Sequence, residues 1–166
     1  MNDTTIPYYF LKENNIVLSA HEVNYAIQHK LIYLKDLGNI VDMSLSKYPN
    51  DENLLKLALN LLLDSFDIDT NVRFLSSTLC ETTCEPKSVR NKWRYIILSW
   101  LYENRTDSST DYDSINKIYA DFDYPVDMER FISYMPAHYD TEKLGYDNIL
   151  HNWQDYLDAH RHLIAS

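Results

Sequence analysis

The stretch SAHEVNYAIQHKL, residues 19–31, carries the clearest signal of fold class in this sequence. Ser19 is followed three residues later by Glu22, the pattern of a capping box. In this arrangement each side chain satisfies a backbone N–H that the first helical turn leaves without a partner. The apolar residues behind it recur at the spacing of one helix face: Val23, Ala26, Ile27 and Leu31. The stretch therefore predicts an amphipathic α-helix with a defined start.

The same helical spacing recurs along most of the chain. Apolar residues at intervals of three and four predict further helices near residues 37–48, 54–63, 72–79, 93–101, 115–122, 128–135 and 149–163. Pro49 is expected to end the first of these, because its ring disfavours helical geometry at Tyr48. The leucine-rich segment 54–63 shows little polar face, so we expect it to be buried on most sides. Residues 103–114, rich in Ser, Thr and Asp, are predicted to form a loop.

Glycine is scarce, and its scarcity excludes several protein classes. The chain of 166 residues contains only two glycines. Phosphate-binding loops and dinucleotide fingerprints are built on clustered glycines, and sheet proteins use glycine in their turns. We therefore predict an all-α protein in which one compact domain, residues 1–166, contains about seven to nine helices joined by short loops.

Negative charge is concentrated in the C-terminal part of the chain. The formal net charge is −10. Residues 1–100 contain 12 acidic and 10 basic side chains, whereas residues 101–166 contain 13 acidic and 5 basic ones. Such a surface repels nucleic-acid phosphates and anionic lipids, so we predict that neither is a partner. It suits a basic protein partner.

The sequence predicts neither a targeting segment nor a membrane segment. Its start, MNDTTIPYYF, lacks the basic region and apolar stretch of a signal peptide. No apolar run approaches the ~20 residues that span a membrane. We expect a cytoplasmic protein.

The stretch YADFDYPVDMERFISYMP, residues 119–136, places three aspartates and two prolines between helix-like apolar residues. Three interpretations are open: a metal site, a surface for a partner, or a joint between two helices. Pro125 suits a first helical turn, Asp123 can cap the second helix, and Asp127 can interact with its dipole. Pro136 is expected to stop that helix. A joint with caps explains most of the stretch.

Candidates for chemistry are weak throughout. Asp121, Asp123 and Asp127 offer oxygen ligands, but a calcium loop would contain a central glycine. Cys80 and Cys84 lack the further soft ligands that zinc needs, and reduced cysteines are expected. The six histidines are scattered, and no serine lies in a nucleophile elbow. We predict no metal, no cofactor and no catalytic residues.

Three segments carry a family resemblance: WRYIILSWLYENR (93–105), INKIYADFDYPVDMERFISYMP (115–136) and LHNWQDYL (150–157). Together they resemble a family of small uncharacterised bacterial proteins, a domain of unknown function. The segment NNIVLSAHEVNYAIQHKLI (14–32) is similar in a looser way. The resemblance implies a single, mainly helical domain. Proteins of this kind often look like immunity proteins, which neutralise toxins used between bacterial cells, and the family supplies no catalytic residues.

Charge and resemblance together predict a stoichiometric inhibitor of a bacterial toxin domain. Tyrosines are interleaved with the acids, and tyrosine is enriched at protein interfaces. The partner-binding residues predicted on this basis are Asp107, Asp111, Tyr112, Asp113, Asp121, Asp123, Tyr124 and Asp127. Two alternatives stay open: a small helical enzyme whose carboxylates hold a metal, and a helical adaptor protein.

Overall fold

The all-α prediction is confirmed. A computed structural model describes residues 4–62, 87–132 and 146–164. Its α-helices in these ranges are α1 (Tyr8–Glu13), α2 (Ala20–Gln28), α3 (Leu37–Lys47), α4 (Glu52–Leu62), α5 (Lys87–Glu103), α6 (Ser109–Asp121) and α7 (Tyr146–His160). Three short 3-10 helices accompany them: η1 (Leu34–Asp36), η2 (Val126–Phe131) and η3 (Arg161–Leu163). Within the described ranges, β pairing is limited to one isolated bridge between Ile6 and Ile32.

The chain divides into two compact units, Thr4–Trp93 and Arg94–Ala165, here called the N-terminal and C-terminal units. The boundary falls inside the sequence of α5. The prediction of one domain over residues 1–166 stays a prediction.

Local capping starts two helices of the N-terminal unit, α2 and α4. At α2 the predicted capping box is present: the Ser19 N–H donates to Glu22 Oε2 at 2.8 Å, and the Glu22 N–H donates to Ser19 Oγ at 3.3 Å. Asp51 starts α4 by accepting hydrogen bonds from the N–H groups of Asn53 and Leu54. α3 ends at Lys47, as Pro49 predicts.

Glu22 also ties the beginning of α5 to α2. Lys92 Nζ lies 2.8 Å from Glu22 Oε2 and donates a second bond of 2.8 Å to the Val17 carbonyl. The Trp93 indole N–H donates to the Glu22 carbonyl at 2.9 Å. Trp93 is fully buried, so its polar atom is satisfied without contact with water.

The prediction that residues 54–63 are buried on most sides is wrong for the part that the structure describes. Leu54 and Leu57 are fully buried, but Leu55 and Leu59 are 46% and 57% exposed. Residues 54 and 57 share one face of a 3.6-residue helix, and residues 55 and 59 share another. Over the described residues a continuous leucine run therefore still produces an amphipathic helix, which packs on α3 and buries Leu54 and Leu57.

The predicted loop at residues 103–114 is wrong over half its length. α5 continues to Glu103 and α6 begins at Ser109, so only residues 104–108 connect them. Ser108 and Asp111 form a capping box, in which Asp111 Oδ2 accepts a 3.3 Å hydrogen bond from the Ser108 N–H. Ser, Thr and Asp are common in loops and equally common in first helical turns, so composition alone misplaced the helix start.

The core of the C-terminal unit forms where η2 packs on α7. Phe131 stacks on Trp153 with ring centroids 6.4 Å apart and contacts Tyr156 at 5.4 Å. Trp153 is 1% exposed. The third tryptophan, Trp100 of α5, is only partly buried.

Some predictions lie outside the described residues. They concern the helix near residues 72–79, the Cys80 and Cys84 pair, and Pro136. In the described ranges no helix is both long and apolar enough to cross a membrane.

Candidate protein-interaction surface

The predicted joint is real, and it begins with a complete helix C-cap. The joint comprises residues 121–127, from the last residue of α6 into the first turn of η2. The Tyr124 N–H donates to the Tyr119 carbonyl at 2.8 Å, and the Asp123 N–H donates to the Ala120 carbonyl at 3.1 Å. This pair of bonds is the Schellman motif, which satisfies carbonyls that the helix end leaves free.

Asp123 occupies the position of this motif that usually holds glycine. Its φ is 61°, in the left-handed region. The prediction that Asp123 caps the second helix is therefore wrong, since it belongs to the end of α6. Pro125, with φ −66° and ψ 135°, is the residue that precedes η2, and no side chain caps that helix.

Tyr124 is the unusual residue of the joint. Its φ of 56° is also left-handed, a conformation that costs a bulky side chain energy. Its ring contacts the Tyr119 ring edge to face, with centroids 5.1 Å apart. This is the contact between the residue after the cap and the last helical turn that commonly accompanies a Schellman motif.

The joint exposes apolar surface beside its acids. Tyr124 is 60% exposed and Val126 is 77% exposed. Asp121 and Asp123 are exposed next to them in sequence. The structure therefore places charged and apolar groups together at this end of α6.

The last residue of the joint, Asp127, is bound to α5 and lies close to α7. Its Oδ2 accepts a hydrogen bond of 2.7 Å from Arg94 Nη2 of α5 and lies 3.4 Å from His160 Nε2 of α7. The Arg94 side chain is 7% exposed and that of Asp127 is 36% exposed. Asp127 sits in the first turn of η2, as predicted, but its principal partner is a buried guanidinium rather than a helix dipole.

Tyr156 completes this cluster. Arg94 Nε donates to the Tyr156 hydroxyl at 3.2 Å, and the guanidinium lies 5.9 Å from the ring centroid. Burial raises the pKa of Tyr156, and the nearby Arg94 charge opposes that rise. The His160 ring stacks on Tyr156 at 4.3 Å. Its Nδ1 lies 2.9 Å from the Tyr156 carbonyl, which can only accept, so Nδ1 carries a proton.

A reciprocal pair fixes η2 on α7 a short distance further along the chain. Arg130 Nη2 donates to Asn152 Oδ1 at 3.2 Å, and Asn152 Nδ2 donates to the Arg130 carbonyl at 2.9 Å. Met128 and Phe131 of η2 are buried. The joint is thus anchored by α6 on one side and by packed side chains on the other.

The four predicted binding residues near the start of α6 have different environments. Asp111 is 8% exposed, and its Oδ1 accepts bonds from the Thr106 N–H at 2.9 Å and the Thr106 hydroxyl at 3.0 Å. Its carboxylate therefore fixes the backbone at Thr106, in the segment that precedes α6. Asp107 has a 65% exposed side chain and pairs with Arg105 at 3.1 Å.

Asp113 is exposed and Tyr112 is half-buried. Partial desolvation raises the pKa of the Tyr112 phenol, and the negative charges of Asp111 and Asp147 act in the same direction.

The predicted residues do not form one cluster. Asp107, Asp111, Tyr112 and Asp113 lie at the start of α6, and the other four lie at or beyond its end. A helix rises about 1.5 Å per residue, so the nearest members of the two groups, Asp113 and Asp121, lie roughly 12 Å apart along α6. Asp113 and Asp121, eight residues apart, share one exposed face of the helix with Lys117 between them.

Sequence reasoning missed Val126, Arg94 and His160. No pattern in the sequence marks Val126, because an isolated valine before an aspartate is ordinary. Arg94 could have been recognised, because a single cation in an apolar helical run requires a buried anion or an exposed position.

Across residues 4–62, 87–132 and 146–164, no group of three or more His, Cys, Asp or Glu side chains is placed to hold a metal ion.

The sequence matches the protein family described as an uncharacterized protein conserved in bacteria (DUF2247) over residues 8–161. The chain belongs to this family. The match confirms the resemblance drawn from the three C-terminal segments. No curated protein and no solved structure matches the chain.

Proposed function

We propose that this DUF2247 protein is a toxin-neutralising immunity protein that binds and blocks a basic bacterial toxin domain stoichiometrically in the cytoplasm. The observation that carries the proposal is the joint at residues 121–127. It presents the exposed acids Asp121 and Asp123 together with the exposed Tyr124 and Val126. Acidic rims around an apolar centre are the composition of a surface that recognises a basic protein.

The excess of acidic residues after residue 100 supports the same partner chemistry. An opposite charge on the toxin would speed encounter, and the effect would be screened over ~8 Å at physiological ionic strength. The exposed face of α6 adds Asp113 to this field, and Lys117 between Asp113 and Asp121 offsets one of the two negative charges. Asp111 is left out of the proposed contact because it is buried, and Asp127 because it is bound to the buried Arg94.

The first test is co-expression with the polypeptide encoded by the reading frame immediately upstream of the gene. We expect that polypeptide to arrest growth when expressed alone, and the wild-type protein to restore growth and co-purify in a 1:1 complex. Absence of both rescue and complex would refute the proposal. A stable complex without any toxicity to rescue would instead support a helical adaptor.

The second test compares two charge variants of equal net charge. Asp113→Asn, Asp121→Asn and Asp123→Asn together remove three charges from the proposed surface. The control set Glu13→Gln, Asp42→Asn and Glu52→Gln removes three exposed charges from the N-terminal unit. We expect the first set alone to slow association, roughly ten-fold at low salt. Equal association rates for the two sets would remove α6 and the joint from the interface.

A further inference from the structure

We infer that Tyr124 and Val126 are the anchor of this interface, and that they enter an apolar pocket rimmed by lysine or arginine on the basic partner. The inference rests on the proposed function and assigns the groups that hold the complex together. It distinguishes these groups from the acids, which increase the rate of association.

The exposure of the two side chains is the first ground. Among the large apolar side chains that the structure describes, Val126 at 77% and Tyr124 at 60% are the most exposed. They lie two residues apart in the chain, with Pro125 between them. A single exposed apolar residue is ordinary on a protein surface, but an adjacent pair rimmed by charge is typical of a binding site.

The charges beside the pair indicate which kind of partner binds it. Asp121 and Asp123 precede Tyr124, and Glu129 follows Val126 within η2. A second copy of this acidic chain would bring like charges together, and a nucleic acid would bring phosphates. A basic protein brings cations, which pair with the acids and also interact favourably with the face of a tyrosine ring.

The pair is also held in position before any partner arrives. The Schellman bonds fix the backbone of Asp123 and Tyr124, and the Tyr119 ring supports the Tyr124 ring. One residue beyond Val126, the Asp127 carboxylate is bound to the buried Arg94. Association therefore needs little further ordering of this segment, and a preordered apolar group contributes more of its burial to affinity.

The two kinds of residue should then affect different rate constants. Rim charges act mainly on association, whereas centrally buried aromatic anchors act on dissociation. This division distinguishes an anchor from a residue that merely lies near the interface.

The test measures association and dissociation rates against the purified product of the upstream reading frame, using the full chain. The variants are Tyr124→Ala, Val126→Ala and Tyr124→Gly, and glycine suits the left-handed backbone at this position. Tyr9→Ala, which truncates another tyrosine with 54% exposure, is the matched control.

We expect both Tyr124 variants to dissociate at least about thirty-fold faster and Val126→Ala about five-fold faster, with association rates within about two-fold of wild type. Tyr9→Ala should bind as the wild type does. If the wild type binds but the three variants dissociate at its rate, the anchor is wrong and the proposed function stands. If the wild type does not bind the upstream product at all, both fail.

Discussion

Removing the charge of Asp127 should destabilise the protein even though this carboxylate is partly open to water. Asp127 accepts a 2.7 Å bond from Arg94, whose side chain is 7% exposed. At an effective dielectric of 20, two charges about 4 Å apart attract by about 4 kcal/mol, and desolvation of the pair offsets most of this. What decides the outcome is that Arg94 stays buried when its partner is lost.

The expected loss of unfolding free energy lies between the values known for exposed and for buried ion pairs. Exposed ion pairs contribute ~0.2–1 kcal/mol, whereas breaking a buried pair costs ~3–5 kcal/mol. Because the Asp127 side chain is 36% exposed, we expect Asp127→Asn to lower the free energy of unfolding by about 1.5–3 kcal/mol. For a chain of this length that is a fall in Tm of about 4–10 °C.

A double-mutant cycle with Arg94→Met isolates the pair. We expect the double variant to be less destabilised than the two single variants predict, by about 1–2 kcal/mol, since methionine leaves no buried cation. Urea unfolding followed by far-ultraviolet circular dichroism measures all four proteins, and Asp113→Asn is the exposed control. Additive effects within about 0.3 kcal/mol would show that the Arg94–Asp127 contact does not stabilise the fold.

Three further predictions concern single side chains. Tyr124→Gly should be more stable than Tyr124→Ala by about 0.5–1 kcal/mol in urea unfolding, because only glycine relieves the left-handed backbone; a more stable alanine variant would contradict the backbone geometry. Asp111→Ala should lower the free energy of unfolding by about 1–2 kcal/mol and Asp113→Ala, at an exposed helical position, by less than about 0.5 kcal/mol, so equal losses would mean that the cap contributes nothing. Burial raises the pKa of Tyr156 in the folded state, so the stabilisation from its neutral phenol is complete below pH ~10 and is lost as pH rises through the folded-state pKa. Tyr156→Phe should therefore lose less stability between pH 9.5 and 11 in thermal melts, by up to about 1.4 kcal/mol per pH unit, and parallel curves would refute this role.

Helix positions were largely predictable, because the signals that set them lie within a few residues of each other. The capping box of Ser19 and Glu22 and the stop at Pro49 needed no tertiary information. The start of α6 was missed although its signal is equally local. Ser108 and Asp111 form the cap there, and an aspartate at the third helical position was not recognised as equivalent to glutamate.

The eight predicted binding residues show where local signals fail. Asp111, Asp113 and Asp127 are chemically identical in the sequence. In the folded chain the first is a buried cap, the second is exposed, and the third is bound to Arg94. Their roles differ because their surroundings differ, and those surroundings come from residues up to 33 positions away.

The sequence alone determined that this chain is helical, that its C-terminal part is acidic, and that two helical segments meet near residues 121–127. Helical periodicity, caps and net charge are properties of neighbouring residues or of composition, so they can be read without a fold. Only the tertiary structure decided that the Asp127 carboxylate is bound by the buried Arg94, while Tyr124 and Val126 remain exposed. Burial and ion pairing depend on which distant helices pack together, and packing is a property of the whole folded chain.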